Sequence, residues 1–298
     1  MKKILGLLVT FFVAHYCLIG WLSAQNLVDT GTRDTPSSYS YFDKAPRSVF
    51  TLAQKIERKQ DITLAEVKAL PDGALNARYD AEITLLFFAA RHYNLQAIDI
   101  LLQAGADPDM VDRPSQKSAR DFTFYIANVS SPDGVEKTMK YRTKLLSIYL
   151  KNGGDPNHEL TSGAKTPIIA LTILMGNTAG ARLLIDNGAD PIKISQTGLS
   201  AATMLAIRRD DESNQLLKDI ICNGAYDHAT EEQIRKIITY LKPLGATDLE
   251  REENQRKLAM FILKRHPNFK DNVSTKYIFN GPIPWKTIGE TSDEVLCK

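Results

Sequence analysis

The chain is poor in the residues that carry chemistry. It has three cysteines in 298 residues. Cys17 sits in the apolar N-terminal run, so Cys222 and Cys297 alone serve the remainder, too few for a zinc-ribbon site. The histidines His92, His158, His228 and His266 lie in separate segments, and none forms an H-E-x-x-H or i,i+4 pair. There is no G-x-S-x-G elbow, no phosphate-binding loop and no G-x-G-x-x-G turn. No catalytic residue, metal, cofactor or small-molecule substrate is therefore expected. Charge of one sign is also lacking. With 37 Lys+Arg against 35 Asp+Glu the formal charge is +2, which gives no general electrostatic reason to bind nucleic acid.

Long apolar runs are absent except at the start. Met1-Lys2-Lys3 is a basic lead, Ile4 to Leu22 is mostly apolar, and Leu22-Ser23-Ala24 suits a cleavage before Gln25. Residues 1–24 read as a secretory signal peptide and the protein as exported to the periplasm. A retained anchor is the alternative, because the run is about long enough to span a bilayer. His15 and the lack of a basic stop-transfer cluster favour cleavage. Cleavage removes two bases and no acid, so the mature chain is formally neutral. In an oxidising compartment Cys222 and Cys297 either pair or remain a half-buried and a loose thiol.

What is present is repetition. Thr166 to Pro191, TPIIALTILMGNTAGARLLIDNGADP, reads as two short helices broken at Gly176-Asn177 and closed by Gly188. Pro167 suits the first helical position. Such a pair cannot bury its apolar faces alone and needs a similar pair on either side. Thr84 to Pro108, Ser118 to Pro156 and Ser200 to Ala225 supply them. The closing glycines Gly105, Gly153, Gly188 and Gly224 stand 48, 35 and 36 residues apart. TLLFFAA and TPIIALT open two of the pairs; LLQAGADPD, YLKNGGDPN and LLIDNGADP close three.

By these motifs the chain resembles the ankyrin-repeat family over Thr84 to Ala225. Two departures stand out: Arg120 takes a place usually held by leucine, and Tyr93 one usually held by glycine. The resemblance implies an all-α solenoid of about four helix-turn-helix repeats with helical caps at both ends. Residues 25–47 read as a flexible lead-in, 48–80 as the N-terminal cap, 81–228 as the repeats, and 229–298 as the C-terminal cap and tail. Thr63 and Glu66 have the spacing of a capping box. Repeat two carries about 15 residues beyond the period, read as a loop over Val129 to Met139 that precedes an outer helix beginning near Lys140. The aromatic and proline-rich tail around Trp285 is expected to fold back on the repeats.

A repeat solenoid is a binding architecture, and its exposed positions are the informative ones. By the register of the resemblance the inner-helix ends expose Arg91, His92, Tyr125, Ile126, Ile173, Leu174, Ile207 and Arg208. The fingers between repeats add Val111, Arg113, Glu159, Ile194 and Gln196. Most of the inner-helix set is apolar with basic ends, the anatomy of a protein-binding patch. More narrowly, the chain resembles bacterial periplasmic ankyrin-repeat immunity proteins against type VI secretion lipase or phospholipase toxins. That implies a protein partner, no reaction of its own, and a monomer when free. A periplasmic scaffold for a resident enzyme and a secreted effector that binds host proteins remain the other readings.

Export has a direct check. Mass spectrometry of the mature protein should find a new N-terminus at or near Gln25, and an intact Met1 in a cytosolic fraction contradicts it.

Overall fold

The computed structural model describes residues 37–111, 121–130, 134–160, 165–196, 198–208, 210–241, 249–270, 275, 278–279 and 282–297. The described structure is all helical, and its only β pairing is an isolated bridge between Glu159 and Pro167. No described helix is long and apolar enough to cross a membrane.

The described residues open with α1 (Ser38–Phe42), α2 (Arg47–Glu57) and α3 (Leu64–Lys68). Four helix pairs follow: α4 (Leu85–Arg91) with α5 (Leu95–Gln103), α6 (Phe122–Asn128) with α7 (Val135–Lys151), α8 (Ile168–Leu174) with α9 (Thr178–Asp186), and α10 (Ala201–Arg208) with α11 (Asp211–Cys222). Then come α12 (Glu231–Tyr240), α13 (Leu249–Arg265), α14 (Trp285–Glu290) and α15 (Asp293–Leu296). First helices pack on first helices, as α2 on α4, α6 on α8, α8 on α10 and α10 on α12. Second helices do likewise from α3 through α5, α7, α9 and α11 to α13. The first row is called inner here and the second outer.

The inner helices are too short to stand alone. Seven residues make under two turns, and isolated helices below about 12–15 residues are marginal in water. Burial carries them instead: α4 buries every residue from Leu85 to Ala90. Side-chain caps set where each helix begins. Thr84 accepts from the Phe87 amide, Asp121 from Phe124, Asn94 from Ala97, Asn177 from Gly180 and Asp210 from Ser213. The closing glycines Gly105, Gly153, Gly188 and Gly224 all have positive φ, the left-handed turn that ends an outer helix without strain.

Between an inner helix and its outer partner the same left-handed turn recurs. Gly176 takes it at φ 79°, and Tyr93 takes it at φ 54°. A tyrosine there is disfavoured by sterics. Its ring lies 5.2 Å from that of Tyr141, and its hydroxyl donates to the Ser130 carbonyl at 2.6 Å. Those contacts hold it in place. Arg120 lies outside the described residues.

The ends are capped as the two rows require. Thr63 and Glu66 form the reciprocal capping box, and hydrogen bonds from Lys55 and from Thr63 hold the Glu66 carboxyl down at about 2. Three sequence expectations need correction. Part of the stretch read as a flexible lead-in is the helix α1, because Phe42 packs edge-on against Phe88 at 4.9 Å and Ser38 donates to the Glu57 carboxylate at 2.6 Å. The stretch read as a loop up to Met139 is already helical from Val135, and Thr138 is buried. Pro167 is not the first helical residue but the cap before it. At the other end Ile283, Ile288 and Leu296 are buried, and α14 and α15 pack on α13. Asp293 pairs there with Lys264 at 3.0 Å and Arg265 at 3.1 Å.

Cys222, the last residue of α11, is joined to Cys297, which follows α15, across 75 positions of sequence. A cross-link of that span mainly restricts the unfolded chain. Cys222→Ser with Cys297→Ser should lower the unfolding free energy by about 2–4 kcal/mol, measured by urea denaturation. Equal midpoints for wild type and variant under non-reducing conditions count against the bond.

Candidate functional site

Aligned on their caps, the four inner helices end side by side. Arg91, Asn128, Leu174 and Ile207 occupy one row of equivalent positions, and His92, Val129, Met175 and Arg208 the next. This edge is open in part, with His92 and Val129 buried. Leu174 is 49% exposed; Arg91, Met175 and Ile207 are half-buried, and Arg208 is exposed.

Three residues expected on this face belong to the core. Ile126 and Ile173 are 0% and 1% exposed. Because Pro167 is itself the cap, Ile173 stands at the position of buried Ala90 and not at the helix end. Ile126 stands at the position of Ala89, inside the stack. His92 is buried with its ring 4.4 Å from that of Phe88. Tyr125 is half-buried and stays by donating to the Ala90 carbonyl at 2.6 Å. Burial pushes its phenol well above the usual tyrosine range.

What reading by sequence missed is a second apolar cluster separate from the main core: Ala127, Leu160 and Leu171, with Phe124 and Met175 packed against it. It joins the ends of α6 and α8 to the finger between them. Setting Gly176 against Tyr93, in place of Thr166-Pro167 against Thr84, places Met175 at the helix end from sequence alone.

Arginines answer the carbonyls at these ends. The last carbonyls of a helix lack intrahelical donors and carry partial negative charge. Buried Arg142 donates from Nε to the Val129 carbonyl at 2.7 Å and from Nη1 to that of Met175 at 3.4 Å, so it bridges the ends of α6 and α8. Burial lowers its guanidinium to about 10. Arg208 donates to the Ile173 carbonyl at 3.3 Å and to the Asp210 carboxylate at 3.1 Å. Arg91 donates to the Tyr41 hydroxyl at 3.3 Å. The row thus keeps an aliphatic centre, Leu174 and Ile207, with cations on both flanks.

The fingers are held to one another. Asn76 donates to the Gly105 carbonyl and accepts from the Asp107 amide, and Asn157 does the same with Gly188 and Asp190. Of the expected finger contacts, Val111 accepts from Arg78 at 3.1 Å through its carbonyl. Glu159 pairs with Lys193 at 2.7 Å, and that hydrogen bond lowers its carboxyl. Ile194 is half-buried and Gln196 exposed; Arg113 lies outside the described residues.

One finger contact is electrostatic. His158 sits between Asp109, 3.2 Å from its Nδ1, and Asp121, 3.3 Å from its Nε2. Asp121 is fully buried and caps α6. The hydrogen bond to Asp121 raises the His158 pKa, against the opposing effect of burial. Among the described residues no group of His, Cys, Asp and Glu is placed to hold a metal ion.

The ankyrin-repeat family model matches residues 82–113, the stretch that holds α4, α5 and the turn closed at Gly105. Ankyrin repeats are typically non-catalytic modules that mediate contacts between proteins. No curated protein matches the chain.

Two measurements follow from this geometry. Ile173→Asp places a charge in the stack and should cost several kcal/mol, whereas Leu174→Asp should leave the melting temperature within a few degrees; circular dichroism melts of the two separate core from surface. His158 has a raised folded pKa, so its stabilising contribution is complete below the unfolded value near 6.5 and is lost as pH rises through the folded pKa. Stability measured against pH should therefore decline over that window in the wild type more steeply than in His158→Gln. Parallel curves remove the His158 clasp from the account.

Proposed function

We propose that the chain is a solenoid of four ankyrin repeats that binds a protein across the open ends of α8 and α10 and performs no reaction. The observation that carries this is Leu174, an aliphatic residue half exposed at the end of α8. Met175 and Ile207 extend it, and Arg91 and Arg208 border it. Apolar centres with polar rims are how protein interfaces are commonly built. More narrowly, the chain is a periplasmic immunity protein that neutralises a lipase or phospholipase toxin delivered by type VI secretion. The apolar leader over residues 4–22 and the Cys222–Cys297 bond agree with an oxidising compartment. In this reading the partner is held with its active site or membrane-facing surface against the Leu174 row.

The test is co-expression of the exported chain with the product of an adjacent lipase gene. The wild type should co-elute with it and protect the cell, and Leu174→Asp, still folded, should do neither. A folded Leu174→Asp that binds as the wild type does takes the function away from this face. Protection by a chain retained in the cytosol ends the periplasmic reading.

A further inference from the structure

α14 has six residues and α15 four, far below the length of about 12–15 residues at which a helix is stable alone in water. Both pack on α13. Their buried anchors are Ile283, Ile288 and Leu296, while Trp285 and Val295 remain 37% and 49% exposed. The polar ties are at the surface. Lys264 donates to the Thr291 carbonyl at 2.8 Å. Asp293, which pairs with Lys264 and Arg265, is itself exposed, and exposed ion pairs contribute little.

The covalent tie comes from another helix. Cys297 follows α15 and is bonded to Cys222 at the end of α11. Both cysteines are packed against the core yet only half-buried. A disulfide that is partly open to solvent exchanges with thiols, because an attacking thiolate can reach a sulfur.

We propose that the Cys222–Cys297 bond is a redox latch. A dithiol opens it and lets α14 and α15 leave α13, while the four helix pairs stay folded. In opening, a thiolate of the dithiol attacks one cysteine sulfur and forms a mixed disulfide, and the second thiol then displaces the protein sulfur. The dithiol gives up two electrons and two protons and becomes a disulfide, and Cys222 and Cys297 become thiols. Closing runs the exchange backward and needs a disulfide as oxidant, as an oxidising compartment maintains. The release is local because each pair in a stack rests on its immediate neighbours, and a short segment with few buried contacts opens below the free energy of global unfolding. The latch is independent of the face assigned to the partner.

The test follows the mature chain, oxidised and then treated with dithiothreitol, by limited trypsin digestion. Lys286 is exposed in α14, and cleavage after it requires the helix to open. Reduction should speed that cut at least about tenfold, within the scale set by a cross-link of this span. Helical circular dichroism should fall by no more than the six residues of α14 and the four of α15. Replacing the reductant with oxidised glutathione should restore protection. Cys222→Ser with Cys297→Ser should be cut at the fast rate with or without reductant. Equal rates of the Lys286 cut before and after reduction overturn the latch, since the buried anchors then hold the segment unaided. Loss of the helical signal of the repeats on reduction overturns it too, since the bond then braces the whole fold.

Discussion

No helix pair in this chain can stand by itself. Inner helices of about two turns gain their stability from faces buried against the pairs on either side. α4 buries six consecutive residues, Leu85 to Ala90, and a short helix so covered has only its end left for water. The stack therefore hides nearly all of each inner helix and exposes one edge. The apolar row of the candidate site is a consequence of that edge.

An edge made of helix ends brings a second demand, because their last carbonyls lack donors. Arg142 and Arg208 meet it by bridging successive helices, which ties the repeats together and leaves cations around an aliphatic centre. What the edge exposes and how it is held up are thus one arrangement. The fingers are held by amides and carboxylates, with Asn76 and Asn157 crossing from finger to finger and His158 clasped by Asp109 and Asp121.

A stack also needs ends. At the start, α1 covers Phe88 with Phe42 and reaches Arg91 through Tyr41. At the finish, α14 and α15 close over α13 and are tied back to α11 by Cys222–Cys297. The bond joins the residue after α15 to the end of α11.

Much of this is local and so legible in sequence. The glycines that end the outer helices need a left-handed turn whatever surrounds them, and Thr63 with Glu66 caps α3 through its own neighbours. Helix pairs and their spacing follow from such local signals. The inner-helix register is misread from Thr166-Pro167, which has the look of a repeat start while the backbone uses Pro167 as the cap. One residue of shift moves Ile173 into the core and Met175 to the edge, and the turn at Gly176, equivalent to that at Tyr93, is the local signal that sets it. α7 differs, because its first turns read as loop until Thr138 and Arg142 are seen buried against their neighbours. Sequence by itself determined that helix pairs repeat, since turn and cap chemistry act within a few residues. Tertiary structure alone decided which side chains are left exposed at the inner-helix ends, since a residue's exposure depends on the helix beside it.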